Sequence, residues 1–247
     1  MSDSTDGTGK ILDKLKHQYP QTLTVLNGTE KPDHWLGKAW ACHQLAEAAT
    51  GDILLFIDAD TWLEPRAVAK VVRTMGRDVV DMITLWPDQK LGLVLGKNGR
   101  PAGLFCSLDP APHPTMCINY QRGYPDFIKQ KAAPQFAAAC GQFMAFRSKA
   151  YEAIGGHASV KNKVVEDVEL AKNIKRAGFS MKMYHGRNTV HCRMYTSSTE
   201  LWEGFRKNFF AGFGYNLFLF LGMGLLHIIT FILPVSASAG TSVLGIN

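Results

Sequence analysis

The sequence has no run of Lys or Arg long enough to follow a phosphate backbone. The 27 Lys and Arg outnumber the 21 Asp and Glu and leave a net charge of +6, but no nucleic-acid partner is expected from so scattered a distribution. There is no C-x-x-C pair. The five cysteines (Cys42, Cys106, Cys117, Cys140 and Cys192) are odd in number and dispersed, which argues against a disulfide framework or a zinc knuckle and for reduced, mostly buried thiols. The N-terminus carries no basic-then-apolar signal sequence, and no internal repeat or low-complexity tract occurs. Charged residues make up 19% and hydrophobic ones 46%, an ordinary globular balance leaning apolar. A chain of 247 residues accommodates one sizeable α/β domain with something appended.

What is appended lies at the C-terminus. Residues 213–234 contain no Asp, Glu, Lys or Arg and a single histidine, His227. About 20 such residues suffice to cross a hydrocarbon core, so a transmembrane helix is expected there. Arg206 and Lys207 precede it and place the main domain on the cytoplasmic side of a cell membrane by the positive-inside tendency. Just upstream, Leu201, Trp202, Phe205, Phe209 and Phe213 share half of a helical wheel, with Glu200, Glu203 and Lys207 opposite. This pattern predicts an interfacial helix. The expected organisation is a main domain over 1–198, the interfacial helix over 199–212, the membrane span over 213–234 and a tail over 235–247.

Within the main domain, a helix is expected at Ile11 to Leu15, a short strand at Thr22 to Leu26 and a helix from Lys38 to Thr50. The apolar run Ile53 to Ile57 predicts a fully buried parallel strand. A helix follows with Val68, Val71, Val72 and Met75 as its buried stripe and Gly76 as its end. Val79 to Leu85 is a further strand. The stretch from Trp86 to Pro134 has no strong period. Ala137 to Phe146 is apolar, and helices are expected at Lys149 to Ile154 and Val164 to Ala177, the last closed by Gly178. This βαβ alternation predicts an α/β fold with a mostly parallel sheet flanked by helices.

Asp58-Ala59-Asp60 follows the strand at its C-terminal end, the edge where open α/β sheets bind ligands. In an extended chain Asp58 and Asp60 point the same way. Two such carboxylates suit a hard divalent cation, Mg2+ or Mn2+, although the triplet equally suits a polar turn. Glu166, Asp167 and Glu169 sit where a helix begins, as the macrodipole favours; a carboxylate there can also serve as a general base. His43, His157, His185 and His191 lack ligand spacing and are expected to be structural, and Cys192 beside His191 does not amount to a thiol nucleophile.

Trp35-Leu36-Gly37-Lys38-Ala39, Gly51-Asp52, Asp58-Ala59-Asp60, Cys140-Gly141-Gln142-Phe143 and Glu166-Asp167, in this order, resemble family 2 glycosyltransferases with the GT-A fold. The resemblance spans roughly residues 3–210. Arg193-Met194-Tyr195 and Glu203-Gly204-Phe205-Arg206-Lys207-Asn208 make it similar to the membrane-associated branch that glycosylates lipids (the ceramide, hopanoid-associated and carotenoid types). The resemblance implies that Asp58 and Asp60 hold the divalent metal and the nucleotide sugar. It places Lys38 near the nucleotide, Gly141, Gln142 and Glu166 on the acceptor side, and Asp167 as general base. The implied reaction is an inverting transfer, from a UDP-sugar by family preference, to a lipid or other membrane-associated hydroxyl.

Two departures accompany it. Family members open with a strand and two aspartates ahead of S-T-D-G-T, whereas Met1 and Ser2 stand there. A chain truncated at both ends and lacking the first strand is therefore expected, and an inactive fragment or a membrane-attached nucleotide-sugar or lipid-binding module is the alternative. The Q-x-x-R-W signature of processive polysaccharide synthases is also absent, which favours a single transfer. A phosphatase of the D-x-D-x-T type is disfavoured by register, since Trp62 stands two places after Asp60.

Overall fold

The computed structural model describes residues 6–89, 134, 137–193, 202–203, 210 and 215–232. The chain divides into two compact units, Met1–Thr196 and Ser197–Asn247. The first contains α1 (Thr8–Gln18), α2 (Gly37–Ala48), β1 (Ile53–Ile57), β2 (Thr61–Leu63), α3 (Ala67–Asp78), β3 (Met82–Trp86) and β4 (Asp88–Gln89). After these come β5 (Phe143–Arg147), α4 (Ser148–Ala153), a 3-10 turn (Gly156–Val160), α5 (Glu166–Arg176), β6 (Met181–His185) and β7 (Val190–Cys192).

The main sheet has the order β1-β5-β3-β6, and a smaller sheet has the order β2-β7-β4. The expected mostly parallel sheet is corrected to a mixed one. β5 runs antiparallel to both of its neighbours, and β3–β6 is the parallel pair. β1, β3 and β6 thus share a direction, but β5 is inserted between two of them. A sequence period cannot reveal this, because a strand buried on both faces reads alike in either orientation. The same topology corrects the fully buried strand. β1 lies at the sheet margin, where only Leu54 is buried and Ile57 is exposed. Thr22 to Leu26 forms no strand.

Helices cover both faces of the main sheet. β5 alternates strictly: Phe143 and Ala145 join Val71, Met75, Ile83, Leu85 and Val190 on the α3 side. Met144 and Phe146 join Leu54, Met82, Tyr151, Leu170 and Ile174 on the α4–α5 side. Period-two side-chain direction assigns each residue to its layer. In α3 the buried stripe is Ala67, Val71 and Met75, with Val68 and Val72 exposed. The helix runs past Gly76 and ends at Val79, which adopts a left-handed φ of 48°. α5 ends as expected: Gly178 takes φ 80°, and the Gly178 and Phe179 N–H groups donate to the Lys175 and Ile174 carbonyls, a Schellman closure.

In the second unit, α6 (Leu217–His227) continues into a π-helical turn (Ile228–Ile232). The Asn216 side chain caps it by accepting from the Leu219 N–H at 3.1 Å. No helix among the described residues is long and apolar enough to cross a membrane. Most of the stretch expected to form the interfacial helix, the tail over 235–247 and the aperiodic stretch before Pro134 lie outside the described residues.

Candidate active site

The site begins with a register. β1 and β5 pair so that Ile57 faces Phe143. The next residue on one strand, Asp58, therefore meets the residue before the other, and the Asp58 N–H donates to the Gln142 carbonyl at 3.4 Å. Two motifs more than eighty residues apart become neighbours through one antiparallel ladder. Asp58-Ala59-Asp60 itself is a turn, closed by the Thr61 N–H donating to the Asp58 carbonyl at 3.1 Å. The expected strand alternation thus does not position these carboxylates. The turn does. Burial chiefly raises the Asp58 carboxyl, and repulsion from the nearby Asp60 adds to it.

Lys38 lies in the first turn of α2, where the helix dipole disfavours a cation. Its ammonium is instead held by carboxylates: Asp58 Oδ1 at 2.8 Å, Asp58 Oδ2 at 3.2 Å and Glu166 Oε1 at 2.9 Å. Partial burial presses the lysine downward, but Glu166 and Asp58 outweigh it and hold it above its ordinary range. Burial also presses Asp58 upward while Lys38 opposes it. With both carboxylate oxygens on the ammonium, the geometry holds the ionised pair.

Glu166 and Asp167 open α5. Glu166 is buried and turned to Lys38. Asp167 accepts two backbone N–H bonds, from Gly141 on Oδ2 at 2.9 Å and from Val168 on Oδ1 at 2.8 Å. Burial, helped by the adjacent Glu166, nevertheless pushes it up to about 6. A carboxyl titrating there is suited to proton transfer near neutral pH.

Gly141 sits between these groups. A Cβ on it would lie 3.1 Å from Lys38 Nζ and 3.4 Å from Asp167 Oδ2, so a glycine lets the ammonium and the carboxylate close over the backbone. The neighbouring Cys140 is clamped by Thr84, whose hydroxyl accepts from the Cys140 N–H at 2.9 Å and donates to its carbonyl at 3.2 Å. Gln142 is buried, and its side-chain oxygen accepts from the Cys140 thiol at 2.8 Å. Its side chain is therefore a tie within the wall, and Gly141 is the member of this segment that faces the carboxylates.

β7 brings a further neighbour to the acidic turn. It pairs antiparallel with β2, placing Cys192 opposite Thr61. The Arg193 N–H donates to the Asp60 carbonyl at 3.1 Å. The Cys192 thiol is fully buried against Thr61 and the Asp60 carboxylate. Burial, with repulsion from Asp60, raises it to about 12 and keeps it a neutral thiol. Only strand pairing could reveal this contact. Two of the histidines have partners within the fold: His191 Nε2 lies 2.9 Å from Glu64 and its Nδ1 3.3 Å from Asp88, and His157 is enclosed beside the Tyr151 hydroxyl at 2.7 Å.

Among the described residues no group of three or more His, Cys, Asp or Glu is arranged to hold a metal ion. Asp58 and Asp60 offer two hard oxygen donors, and Asp58 already engages a cation, the Lys38 ammonium. That donor set fits Mg2+ or Mn2+, which usually bind through one or two carboxylates together with substrate phosphates and water.

A mixed α/β sheet with an acidic turn at the end of β1, a lysine and an elevated carboxyl around it defines a GT-A-type fold. Residues 2–213 match the model of the family described as glycosyltransferase like family 2, and the chain belongs to that family. It is similar to the 4,4'-diaponeurosporenoate glycosyltransferase of Staphylococcus haemolyticus, with 23% identity over 214 residues, 85% of this chain and 52% of that protein. Among solved structures it resembles the mannosyltransferase PcManGT from Pyrobaculum calidifontis in complex with GDP-Man and Mn2+. There the TM-score is 0.53 with 19% identity, covering 81% of this chain and 48% of that one. The chain spans about half the length of these relatives.

Proposed function

We propose that the chain transfers a sugar, with inversion, from a nucleoside-diphosphate sugar to a hydroxyl of a lipid or other membrane-associated acceptor. The observation that carries this reading is the convergence of Asp58, Lys38, Glu166, Gly141 and Asp167 on one edge of the sheet. Asp58 and Asp60 would hold a divalent cation, Mn2+ or Mg2+, which when bound supplies charge neutralisation for the departing diphosphate. Lys38 adds a positive charge suited to the same phosphates. Asp167, titrating at about 6, takes the proton of the acceptor hydroxyl as its oxygen attacks the anomeric carbon, while the bond to the diphosphate breaks in the same displacement. No covalent enzyme intermediate is required.

The structural neighbour that binds GDP-Man with Mn2+ supports a nucleoside-diphosphate sugar as donor; UDP remains the expectation from the family resemblance. A lipid acceptor and a membrane location are supported by the carotenoid-type relative and by α6. On that helix Phe218, Leu219, Leu221, Leu225 and Leu226 are all more than half exposed, an apolar surface unusual in water. Arg206 and Lys207 support a cytoplasmic side for the first unit through the positive-inside tendency.

Asp60→Ala tests the donor site. Isothermal calorimetry with Mn2+ and UDP-glucose or GDP-mannose is expected to show binding to the wild type and none to the variant. Unchanged binding by Asp60→Ala would remove the role given to this turn.

A further inference from the structure

We propose that Lys38 couples cation binding to nucleotide binding: its ammonium occupies Asp58 until a nucleoside diphosphate draws it away, so that a divalent cation is held tightly only together with the nucleotide. The inference rests on the reading of Asp58 and Asp60 as the cation site and adds an order to it.

The geometry supplies the competition. Lys38 Nζ stands 2.8 and 3.2 Å from the two Asp58 oxygens, so a cation on that carboxylate would share its ligand with a second positive charge only a few ångströms away. Like charges at such a distance repel strongly unless one of them moves. Lys38 can move. Its side chain is 43% exposed, whereas Glu166 is 11% exposed, so the lysine tip has an open side and its second anchor is fixed. An arriving diphosphate offers the ammonium an alternative set of charged oxygens. Gly141 marks the return position, since any side chain there would crowd the nitrogen at 3.1 Å. Lys38 is thus a positioning residue with two stations: the Asp58–Glu166 pair, and the diphosphate.

Phosphates supply metal ligands in any mechanism, so the deciding quantity is Mn2+ affinity without nucleotide. It is read from the electron paramagnetic resonance signal of free Mn2+ titrated with wild type, Lys38→Met, Lys38→Arg and Lys172→Met. Lys172 pairs with Glu169 further along α5 and controls for a general loss of positive charge. Lys38→Met is expected to bind Mn2+ alone about tenfold more tightly than wild type, and added UDP or GDP is expected to raise its affinity far less than in the wild type. Lys38→Arg and Lys172→Met are expected to match wild type without nucleotide. Circular dichroism verifies the fold of each variant, and Lys38→Gln, with the same expected direction, serves if Lys38→Met does not fold. If Lys38→Met and wild type bind Mn2+ equally without nucleotide, the coupling is overturned while the donor site stands. If Asp60→Ala binds Mn2+ and UDP as the wild type does, the donor-site reading itself falls, and the coupling with it.

Discussion

Replacing Asp167 by Asn is expected to remove turnover and, above pH 7, to make the protein more stable. The folded-state pKa is about 6 against an ordinary 3.8, chiefly through burial. A raised carboxyl means that the native state holds the proton better than the unfolded chain does. Its stabilising contribution is fully present below about pH 4 and is lost as pH rises through about 6. At about 1.4 kcal/mol per pKa unit, the loss is at most about 3 kcal/mol. Asn carries no charge to desolvate, but only one of its two terminal atoms can accept, so one of the N–H bonds from Gly141 and Val168 is given up at roughly 1 kcal/mol. The variant should therefore be about 2 kcal/mol more stable than wild type at pH 8, and about 1 kcal/mol less stable at pH 4.

Urea unfolding at several pH values measures this, and the comparison of the two proteins is essential. His157, lowered to about 4 by burial, titrates over the same window with the opposite sign: its contribution is present above about 6.5 and lost as pH falls through about 4. In the wild type alone the two trends offset each other; in the difference between variant and wild type His157 cancels. A stability difference that stays constant from pH 4 to pH 8 would refute the burial argument for Asp167. Donor binding by calorimetry should survive in the variant, and wild-type kcat should rise with pH through about 6. Normal transfer by Asp167→Asn would remove the base assignment.

Gly156→Ala should destabilise the first unit by more than about 2 kcal/mol, seen as a lowered Tm in thermal unfolding. Gly156 has φ 47°, and a Cβ there would lie 2.5 Å from the Tyr151 ring, which is buried and tied to His157 and cannot step aside. The exposed apolar helix α6 leads to a fractionation result: intact chain should remain in the membrane pellet after a carbonate wash, and recovery in the soluble fraction would refute membrane attachment.

Much of this protein was legible in its sequence because the signals were local. Helical periodicity located α2, α4 and α5 to within a few residues, and Gly178 was readable as a cap because its left-handed conformation answers a local need. The residue types that carry the site, paired carboxylates after an apolar strand and acidic residues opening a helix, were also visible as ordered motifs. Where the local rules competed, the reading slipped. Val68 and Val72 are apolar yet exposed, because the direction in which α3 meets the sheet selects Ala67, Val71 and Met75. Gly76 permits a helix end but does not require one.

The contacts that make these residues a site depend on partners distant in sequence, and only the tertiary structure decided them. The antiparallel β1–β5 register brings Gln142 to Asp58, the β2–β7 pairing sets Cys192 against Asp60, and the packing of both α2 and α5 on the 3-10 turn Gly156–Val160 lets one lysine span Asp58 and Glu166. A sequence determines its own periodicity, turns and charges, since these are properties of neighbouring residues. Which strand inserts beside which, and therefore which charges share a few ångströms of poorly solvated space, follows from the packing of the whole sheet. The elevated Asp167 and the doubly anchored Lys38 arise from that packing, because burial and Coulombic proximity exist only in three dimensions.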